Sequence, residues 1–435
     1  MAEQISSLKT SARYKDTPIG KIPVDWSLKK LIDAASEEKY SFAGGPFRSD
    51  LKEDSYTDHG VRIIQLQNIG DGNFLDEYKI FTSDEKADQL RHCNIYPGDI
   101  IIAKMADPVA RACIIPDKDK RYLMASDGIR LSVNQKKYDV NFILYLINSP
   151  YFRKNAEKHS TGTTRLRIGL SELKNLPIAV PPIEDQKKIA EILTTVDDAI
   201  EKTGQIIEKT KEAKKGLMQK LLTRGLECKK FKKTEIGEIP EGWEVLRLKN
   251  IAIKFLNGGT PDTSNQNYWD GQIPWITGAD FENQKINQIR RHITNEGLKN
   301  SATNIIPKGN LLVVTRTGVG KIALAPFDIA ISQDITGIIL DSKKALPEFL
   351  YWYFDYNGSK LKSIIQGTSI SGLLREDLES FIVPLPSIVE QKKIADILSS
   401  IDEEIEKESK HKDHLESLKK GLMQVLLTGK IHVSL

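Results

Sequence analysis

Apolar residues recur at alternating steps of four and three along two stretches of the chain. The first stretch has Ile189, Leu193, Val196, Ile200, Ile207, Leu217 and Leu221, and the second has Ile394, Leu398, Ile401, Ile405, Leu415, Leu422 and Leu426. This heptad spacing is typical of a helix that packs along a coiled-coil seam. Prolines precede both stretches, and Gly225 and Gly429 follow them, as expected at helix starts and ends. We therefore predict two long helices, over residues 183–225 and 387–430, each about 60 Å long at about 1.5 Å per residue.

The two helices can bury their apolar stripes against each other, or each can pack on the surface of its own domain. An antiparallel pair is the simplest arrangement, because the chain returns through a whole domain between them. The predicted seam consists of Ile189, Leu193, Val196, Ile200, Leu217, Leu221, Ile394, Leu398, Ile401, Ile405, Leu422 and Leu426. Polar residues interrupt both stripes, among them Lys214 and Lys419, and such positions either fix the register or face another protein.

The helices belong to an internal repeat. Residues 183–225 align without a gap with residues 388–430, with 21 of 43 positions identical, and the motif "KKGLMQ" recurs 205 residues apart, at Lys214–Gln219 and Lys419–Gln424. A second match, "IGKIPVDW" with "IGEIPEGW", begins at Ile19 and Ile236. A period of about 200 residues indicates domain duplication, not a solenoid of short repeats. The predicted domains are residues 1–182, the first helix, residues 226–386 and the second helix.

Between the helices the two lobes are only patchily similar. "YPGDIIIAK" lies over "PKGNLLVVTR", and both predict a buried strand that follows a glycine turn. Residues 142–158 and 348–365 both have a helical pattern. The chain has kept its helices alike while its lobes have diverged, so we expect the helices to share one mechanical role and the lobes to have related but distinct ones.

Composition and net charge restrict the possible functions only slightly. The chain has 435 residues, 40% of them hydrophobic, a net charge of +4 and three cysteines without metal-type spacing. The mild basicity permits a polyanionic partner without requiring one. With no signal peptide and no apolar run of about 20 residues, we expect a soluble cytoplasmic protein with no membrane partner.

The search for catalytic, metal or cofactor motifs finds no convincing candidate. "TRTGVGKI" has Gly320-Lys321 but lacks the first glycine and the hydroxyl of a phosphate-binding loop. "NSPY" at Asn148 is better explained as a helix interruption than as a methyltransferase loop. His411 and His414 lie on a charged helical stretch, so a metal site there is not expected.

Loops that carry Arg and Lys among Gly, Ser, Thr and Asn remain as candidates for DNA contacts, because these residues donate to phosphates and base edges. The candidates are Arg48, Lys52, Lys104, Arg111, Arg165 and Arg167 in the first lobe, and Thr260, Thr315, Arg316, Lys321 and Ser369 in the second.

The repeated segments "PLPSIVEQKKIADILSSID" and "LKKGLMQVLLTG" resemble the helical regions of type I restriction-modification specificity subunits. "GGPFRSDL" and "GGTPDTSNQNYWDGQIPWIT" resemble early loops of that family's target recognition domains. The resemblance extends from about Thr17 to Lys430. It implies an α+β fold: two mixed α/β target recognition domains joined by two long helices that form an antiparallel coiled coil, with pseudo-twofold internal symmetry.

The same resemblance implies a non-catalytic subunit in which each lobe recognises one half of an asymmetric, split site in double-stranded DNA. The coiled coil would set the spacer and dock two methyltransferase subunits, which restriction subunits join. S-adenosylmethionine, ATP and Mg would then belong to the partner subunits, with no cofactor in this chain. Where the second lobe has Thr315-Arg316-Thr317-Gly318, the first has Met105-Ala106-Asp107-Pro108, which makes Lys104 and Arg111 weaker candidates than Arg316.

Two other classes of protein stay open: a single-chain DNA-modifying enzyme, and a coiled-coil adaptor that binds only proteins. Such an adaptor would show no salt-dependent affinity for DNA.

Gly216 and Gly421 each cost a helix about 1 kcal/mol relative to alanine. We hypothesise that they allow close approach of a lobe or of a partner helix.

Overall fold

The computed structural model describes residues 8–9, 13–47, 49–105, 107–227, 229–282, 284–286, 288–358 and 372–433. The chain divides into two compact units, one formed by Met1–Gly204 with Lys410–Leu435 and the other by Gln205–Ser409. Each unit therefore contains one lobe together with a segment of each long helix. We call residues 13–182 the first lobe and residues 226–386 the second lobe.

The first long helix covers Ile183–Arg224 and the second covers Ile388–Leu426, which confirms the two predicted helices. Gly225 follows the first helix with a φ of +68°, and Gly429 follows the second with a φ of +67°. A left-handed residue at this position is a common helix end, and glycine adopts it without a steric penalty.

In both units the two helix segments are antiparallel. In the first unit, Asp197 pairs with Lys419, and a Cβ built on Gly204 would lie 3.8 Å from Nζ of Lys412. In the second unit, Lys214 pairs with Asp402, and the backbone of Leu226 donates to Glu390. Residue numbers rise along one segment as they fall along the other, as predicted for an antiparallel pair.

The first lobe contains two sheets. The four-stranded sheet is antiparallel and has the order Ala112–Ile114, Ile100–Ala103, Gly128–Leu131, Phe42–Gly44. The five-stranded sheet has the order Tyr56–Thr57, Ile80–Thr82, Val61–Ile64, Tyr122–Met124, Asn94–Ile95. Within it, Val61–Ile64 and Tyr122–Met124 are parallel.

The second lobe repeats this topology without a counterpart of the edge strand Tyr56–Thr57. Its antiparallel sheet has the order Ile322–Leu324, Leu311–Val314, Ile335–Leu340, Ala252–Asn257. Its other sheet has the order Arg291–Ile293, Trp269–Ile276, Ile329–Ile331, Asn304–Ile306, and here too one pair is parallel, Trp269–Ile276 with Ile329–Ile331. Two lobes with dissimilar sequences thus share one scaffold, which confirms the predicted mixed α/β class and the internal repeat.

The remaining elements also occur in corresponding places. Short antiparallel pairs close each lobe, Ser27–Lys30 with Pro177–Val180 and Glu244–Arg247 with Ile382–Leu385. Hairpins precede them, Tyr14–Thr17 with Gly20–Pro23 and Phe231–Thr234 with Gly237–Pro240. The longer lobe helices are Val140–Asn148 and Pro150–Lys158 in the first lobe and Pro347–Tyr356 in the second. Ser149 caps the second of these helices, so "NSPY" does interrupt a helical stretch.

The apolar stripes of the long helices pack against lobes as well as against each other. One buried cluster joins Ile189, Leu193, Val196, Leu422 and Leu426 to residues of the first lobe. A second joins Leu221, Ile394 and Leu398 to residues of the second lobe. Ile200, Leu217, Ile401 and Ile405 are half-buried. Both arrangements considered from the sequence therefore occur together, because each helix segment has a lobe on one side and the other helix on another.

Gly216 and Gly421 have no close neighbour among the residues that the structure describes, since a Cβ added at either would meet no atom within 4 Å. In the described part of the chain, therefore, no lobe approaches either glycine closely, which is contrary to that part of the hypothesis; close approach of a partner helix stays a prediction.

We expect Gly216→Ala and Gly421→Ala each to raise the free energy of unfolding by about 1 kcal/mol, because alanine is the better helix former. Urea unfolding measures this, and a loss of stability in either variant would contradict it.

Within the described ranges, no helix combines the length and apolar character that crossing a membrane requires.

Candidate nucleic-acid interface

The loops that carry most of the sequence candidates of the first lobe lie at one edge of its sheets. Strands Val61–Ile64 and Tyr122–Met124 are parallel, so they end at the same edge, and Ala125 N donates to Ile64 O at 2.9 Å. Lys104 N donates to Asp127 O at 2.7 Å, and Ile168 N donates to Lys104 O at 2.9 Å. These bonds, and the clefts that neighbouring loops line together, define the first loop edge. It consists of residues 44–47, 65–68, 104–105, 107–111, 125–127 and 161–169.

Lys104 and Arg167 lie side by side at this edge. Nζ of Lys104 donates to Ser126 O at 3.0 Å, and Arg167 pairs with the half-buried carboxylate of Asp127 at 3.0 Å. Both side chains line one cleft together with Gly44 and Phe47. Burial, followed by the nearby charge of Arg167, lowers the pKa of Lys104, and the charge of Asp127 opposes this. Two cations held this close favour an anion such as a phosphate between them.

The other candidates of the first lobe line neighbouring clefts. Arg111 and Arg165 share one cleft, and Lys52 lines another with Gln65 and Asp127. Arg165 and Lys52 are exposed. Arg111 is half-buried and uses Nη2 to donate to Leu66 O at 2.8 Å, so part of its donor capacity serves the fold. Arg48 lies outside the described residues.

The second lobe has a corresponding loop edge. Ser332 N donates to Ile276 O at 2.9 Å and Thr315 N donates to Asp334 O at 2.7 Å. A Cβ on Gly278 would lie 2.6 Å from Thr317 O, so these two loops are in close contact. We call residues 257–262, 277–282, 315–321 and 332–334 the second loop edge.

The sequence candidates of the second lobe differ in how far they reach the surface. Arg316 is exposed. Thr260 is also exposed, and its hydroxyl donates to Gln333 Oε1. Thr315 is only 6% exposed, and its hydroxyl donates to Asp334 O at 3.3 Å, so that hydroxyl serves the fold. Nζ of Lys321 donates to Gly278 O and Phe281 O, each at 3.1 Å, which ties together two loops. Ser369 lies outside the described residues.

A repeated glutamine fixes the start of each long helix to its lobe. Gln186 is buried; its Oε1 accepts from Asp139 N at 3.0 Å and its Nε2 donates to Pro181 O at 2.9 Å. Gln391 is also buried; its Oε1 accepts from Leu346 N at 2.9 Å, and its Nε2 donates to Lys344 O at 3.0 Å and Pro386 O at 2.9 Å. This is the glutamine of the repeated "QKKIA", and its role was not predicted from the sequence.

The first lysine of each "KKGLMQ" makes the same pair of contacts in its own unit. Lys214 pairs with Asp402 at 2.6 Å and lies 4.5 Å from the ring centroid of Trp352. Lys419 pairs with Asp197 at 2.6 Å and lies 5.7 Å from the ring centroid of Tyr145. Each lysine thus links the other long helix to an aromatic residue of a lobe helix. The polar interruptions of the two stripes were expected either to fix the register of the helix pair or to face another protein. These contacts favour the first explanation.

The ion pair of Asp402 predicts acid sensitivity. Burial alone would raise its pKa, but hydrogen bonds and charges from Lys214 and Lys285 outweigh burial and hold the pKa below 3.8. A carboxyl whose pKa is lower in the folded state stabilises the fold above its unfolded-state pKa, and this contribution is lost as the pH falls through the folded-state pKa. We expect the free energy of unfolding to decrease below about pH 4, and Asp402→Asn to remove part of that decrease. Urea titrations at several pH values test this; equal pH slopes for the two chains would contradict it.

One group of side chains in the described part of the chain could hold a metal ion, Asp25, Asp185 and His432. None of the three belongs to either loop edge. The loop edges offer exposed arginines, threonines and glutamines, together with the half-buried Lys104 and Lys321, at the ends of sheet strands. Such a set suits binding to an anionic, hydrogen-bonding surface.

Comparison with known proteins agrees with this architecture. The profile of a family described as type I restriction modification DNA specificity domain matches the chain twice, over residues 44–212 and 240–417. The chain is 33% identical to a Methanocaldococcus jannaschii protein assigned as the specificity subunit of type I restriction enzyme MjaX, with 97% of each chain covered. It is 31% identical to the type I restriction enzyme MjaVIII specificity subunit of the same organism, over 72% of this chain and 75% of that one.

The fold is also similar to that of the type I restriction-modification system S subunit from M. genitalium. The TM-score is 0.59 at 16% identity, over 97% of this chain and 98% of that one. The protein described here belongs to the type I restriction-modification DNA specificity family. This membership confirms the family resemblance predicted from the sequence, the predicted fold class and the predicted role as a non-catalytic specificity subunit.

Proposed function

We propose that each lobe recognises one half of a split, asymmetric site in double-stranded DNA, the first lobe through the first loop edge and the second through the second. One observation carries this proposal: apart from the edge strand Tyr56–Thr57, the sheets of the two lobes have the same strand order, but the side chains at corresponding loop positions differ. Strand Ile100–Ala103 is followed by Lys104, and the corresponding strand Leu311–Val314 by Thr315. Two related domains that recognise different base sequences require a common scaffold with different side chains in the loops that contact the bases.

We further propose that the two long helices set the spacer between the half-sites and dock two methyltransferase subunits, which restriction subunits then join. The repeated glutamine and lysine contacts support this, because they hold helix segments to a lobe in the same way in both units. Two similar helix pairs offer two similar docking surfaces. S-adenosylmethionine, ATP and Mg would be bound by those partner subunits, and this chain would contribute recognition and geometry.

The proposal is tested by DNA binding of the chain assembled with its methyltransferase subunits. We expect affinity to fall as salt rises, and Arg165→Ala in the first lobe and Arg316→Ala in the second each to reduce the salt slope by about one. Lys343→Ala is the matched control, because Lys343 is exposed in a turn outside both loop edges. Binding that is independent of salt, or absent from an assembled complex, would favour the protein-adaptor alternative.

A further inference from the structure

Arg290 in the second lobe was not a candidate from the sequence, yet its side chain is held in one orientation. Its Nε donates to Oδ1 of Asp280 at 2.6 Å, and its Nη2 donates to the hydroxyl of Thr277 at 3.0 Å. The Asp280 side chain is 3% exposed, whereas that of Arg290 is 51% exposed. A buried carboxylate therefore fixes a guanidinium whose outer part remains in solvent.

The carboxylate is itself firmly placed. Oδ2 of Asp280 accepts from the backbone and the hydroxyl of Thr277, at 2.7 Å and 2.8 Å. Burial would raise the pKa of Asp280, but the hydrogen bonds from Arg290 and Thr277 lower it overall, so the carboxylate stays charged. Among the described residues no partner engages Nη1 of Arg290, which leaves two N–H groups there and one on Nη2 for a ligand.

This arginine is attached to the second loop edge. Thr277 directly follows strand Trp269–Ile276, and Lys321 ties the segment from Gly278 to Phe281 to the loop that carries Arg316. In the first lobe, Asn68 takes the place of Asp280, and its amide donates to Leu75 O and Tyr78 O. The first lobe therefore has no acidic group at this position to orient an arginine.

We propose that Arg290 is a base-recognising residue of the second lobe, an inference that rests on the proposed function. Its two terminal nitrogens donate to O6 and N7 of one guanine. Arginine and guanine form a bidentate pair in the major groove, because the two donors match the two acceptors in spacing. Fixing the guanidinium beforehand reduces the entropy that such a pair costs. Asp280 and Thr277 act as positioning residues, because they touch Arg290 and not the base.

The test compares methylated motifs produced in cells by the wild-type chain and by Arg290→Lys, each with its methyltransferase subunits. Lysine keeps the charge but cannot form the bidentate pair, so we expect one guanine position of the second half-site to lose about 10- to 100-fold discrimination, while the first half-site is unchanged. Arg291→Lys is the matched control, because this neighbouring arginine is exposed and lies over the ring of Trp269.

A second measurement begins with the wild-type complex, so its first result does not depend on the folding of a variant. This complex is tested on duplexes in which 7-deazaguanine, which lacks the N7 acceptor, replaces guanines of the second half-site one at a time. We expect the replacement to weaken methylation at one position of the half-site. This loss of methylation should disappear in Arg290→Lys and become smaller in Asp280→Asn. A second half-site without guanine, or an unchanged motif and unchanged penalties in the variants, would overturn the assignment. A wild-type chain that directs no split motif would instead overturn the proposed function itself.

Discussion

Replacing Gln391 with alanine is expected to lower the free energy of unfolding by about 2–4 kcal/mol. The substitution leaves Leu346 N, Lys344 O and Pro386 O without the partner that Gln391 provides in a buried position. An unsatisfied buried polar group costs about 1–3 kcal/mol, and water that enters the vacated space recovers part of that cost. Gln186→Ala should have a similar effect, because Gln186 makes the corresponding contacts in the first unit. Urea unfolding monitored by circular dichroism measures both changes.

The chain offers a matched control in its other repeated glutamine. Gln219 and Gln424 end the two copies of "KKGLMQ" and are exposed. Their replacement by alanine should change stability by less than about 0.5 kcal/mol. If all four variants lose similar stability, the buried hydrogen bonds are not what fixes the helices to the lobes.

Lengthening both long helices by one heptad is expected to abolish methylation at the native site. Seven residues that continue the apolar stripe, inserted after Gly204 and after Ser409, keep the seam in phase and add about 10 Å to each helix. That length corresponds to about three base pairs at about 3.4 Å each, and three base pairs also rotate one half-site around the duplex. The lobes would then no longer match two half-sites at the native spacing. Methylation of duplexes with graded spacers measures the effect.

The control is an insertion of equal length outside the helices. Seven residues after Lys120, in an exposed loop of the first lobe, should leave the native spacing in place. Unaltered methylation of the native site by the helix-insertion chain would show that the long helices do not set the spacer.

The long helices could be predicted from the sequence because their signal is local. Apolar residues at heptad spacing, prolines before them and glycines after them lie within 45 residues of one another in each copy. The strands Ile100–Ala103 and Leu311–Val314 were predictable for the same reason, since each is an apolar run after a glycine turn. The shared strand order of the lobes was not predictable, because it rests on pairings between distant, short strands whose sequences have diverged.

At the candidate interface, residue types predicted which loops carry the candidates. They did not predict whether each side chain is exposed or donates to the backbone of a neighbouring loop. Lys321 and Arg111 look as accessible in the sequence as Arg316, yet they donate to backbone carbonyls of neighbouring loops. Arg290 was missed because its orientation depends on Asp280, ten residues earlier, and such a contact forms only when the loop folds. Lys214 and Lys419 were recognised as interruptions of the stripes, but their aspartate partners lie on the other helix.

As a specificity subunit, this chain is expected to determine which DNA sequence is modified. Mapping methylated adenines across the genome tests it most directly, in cells that contain the chain with its methyltransferase subunits and in cells that lack only the chain. We expect a split, asymmetric motif that disappears when the chain is removed. Methylation that is the same in both kinds of cell would show that the chain does not determine the modified sequence.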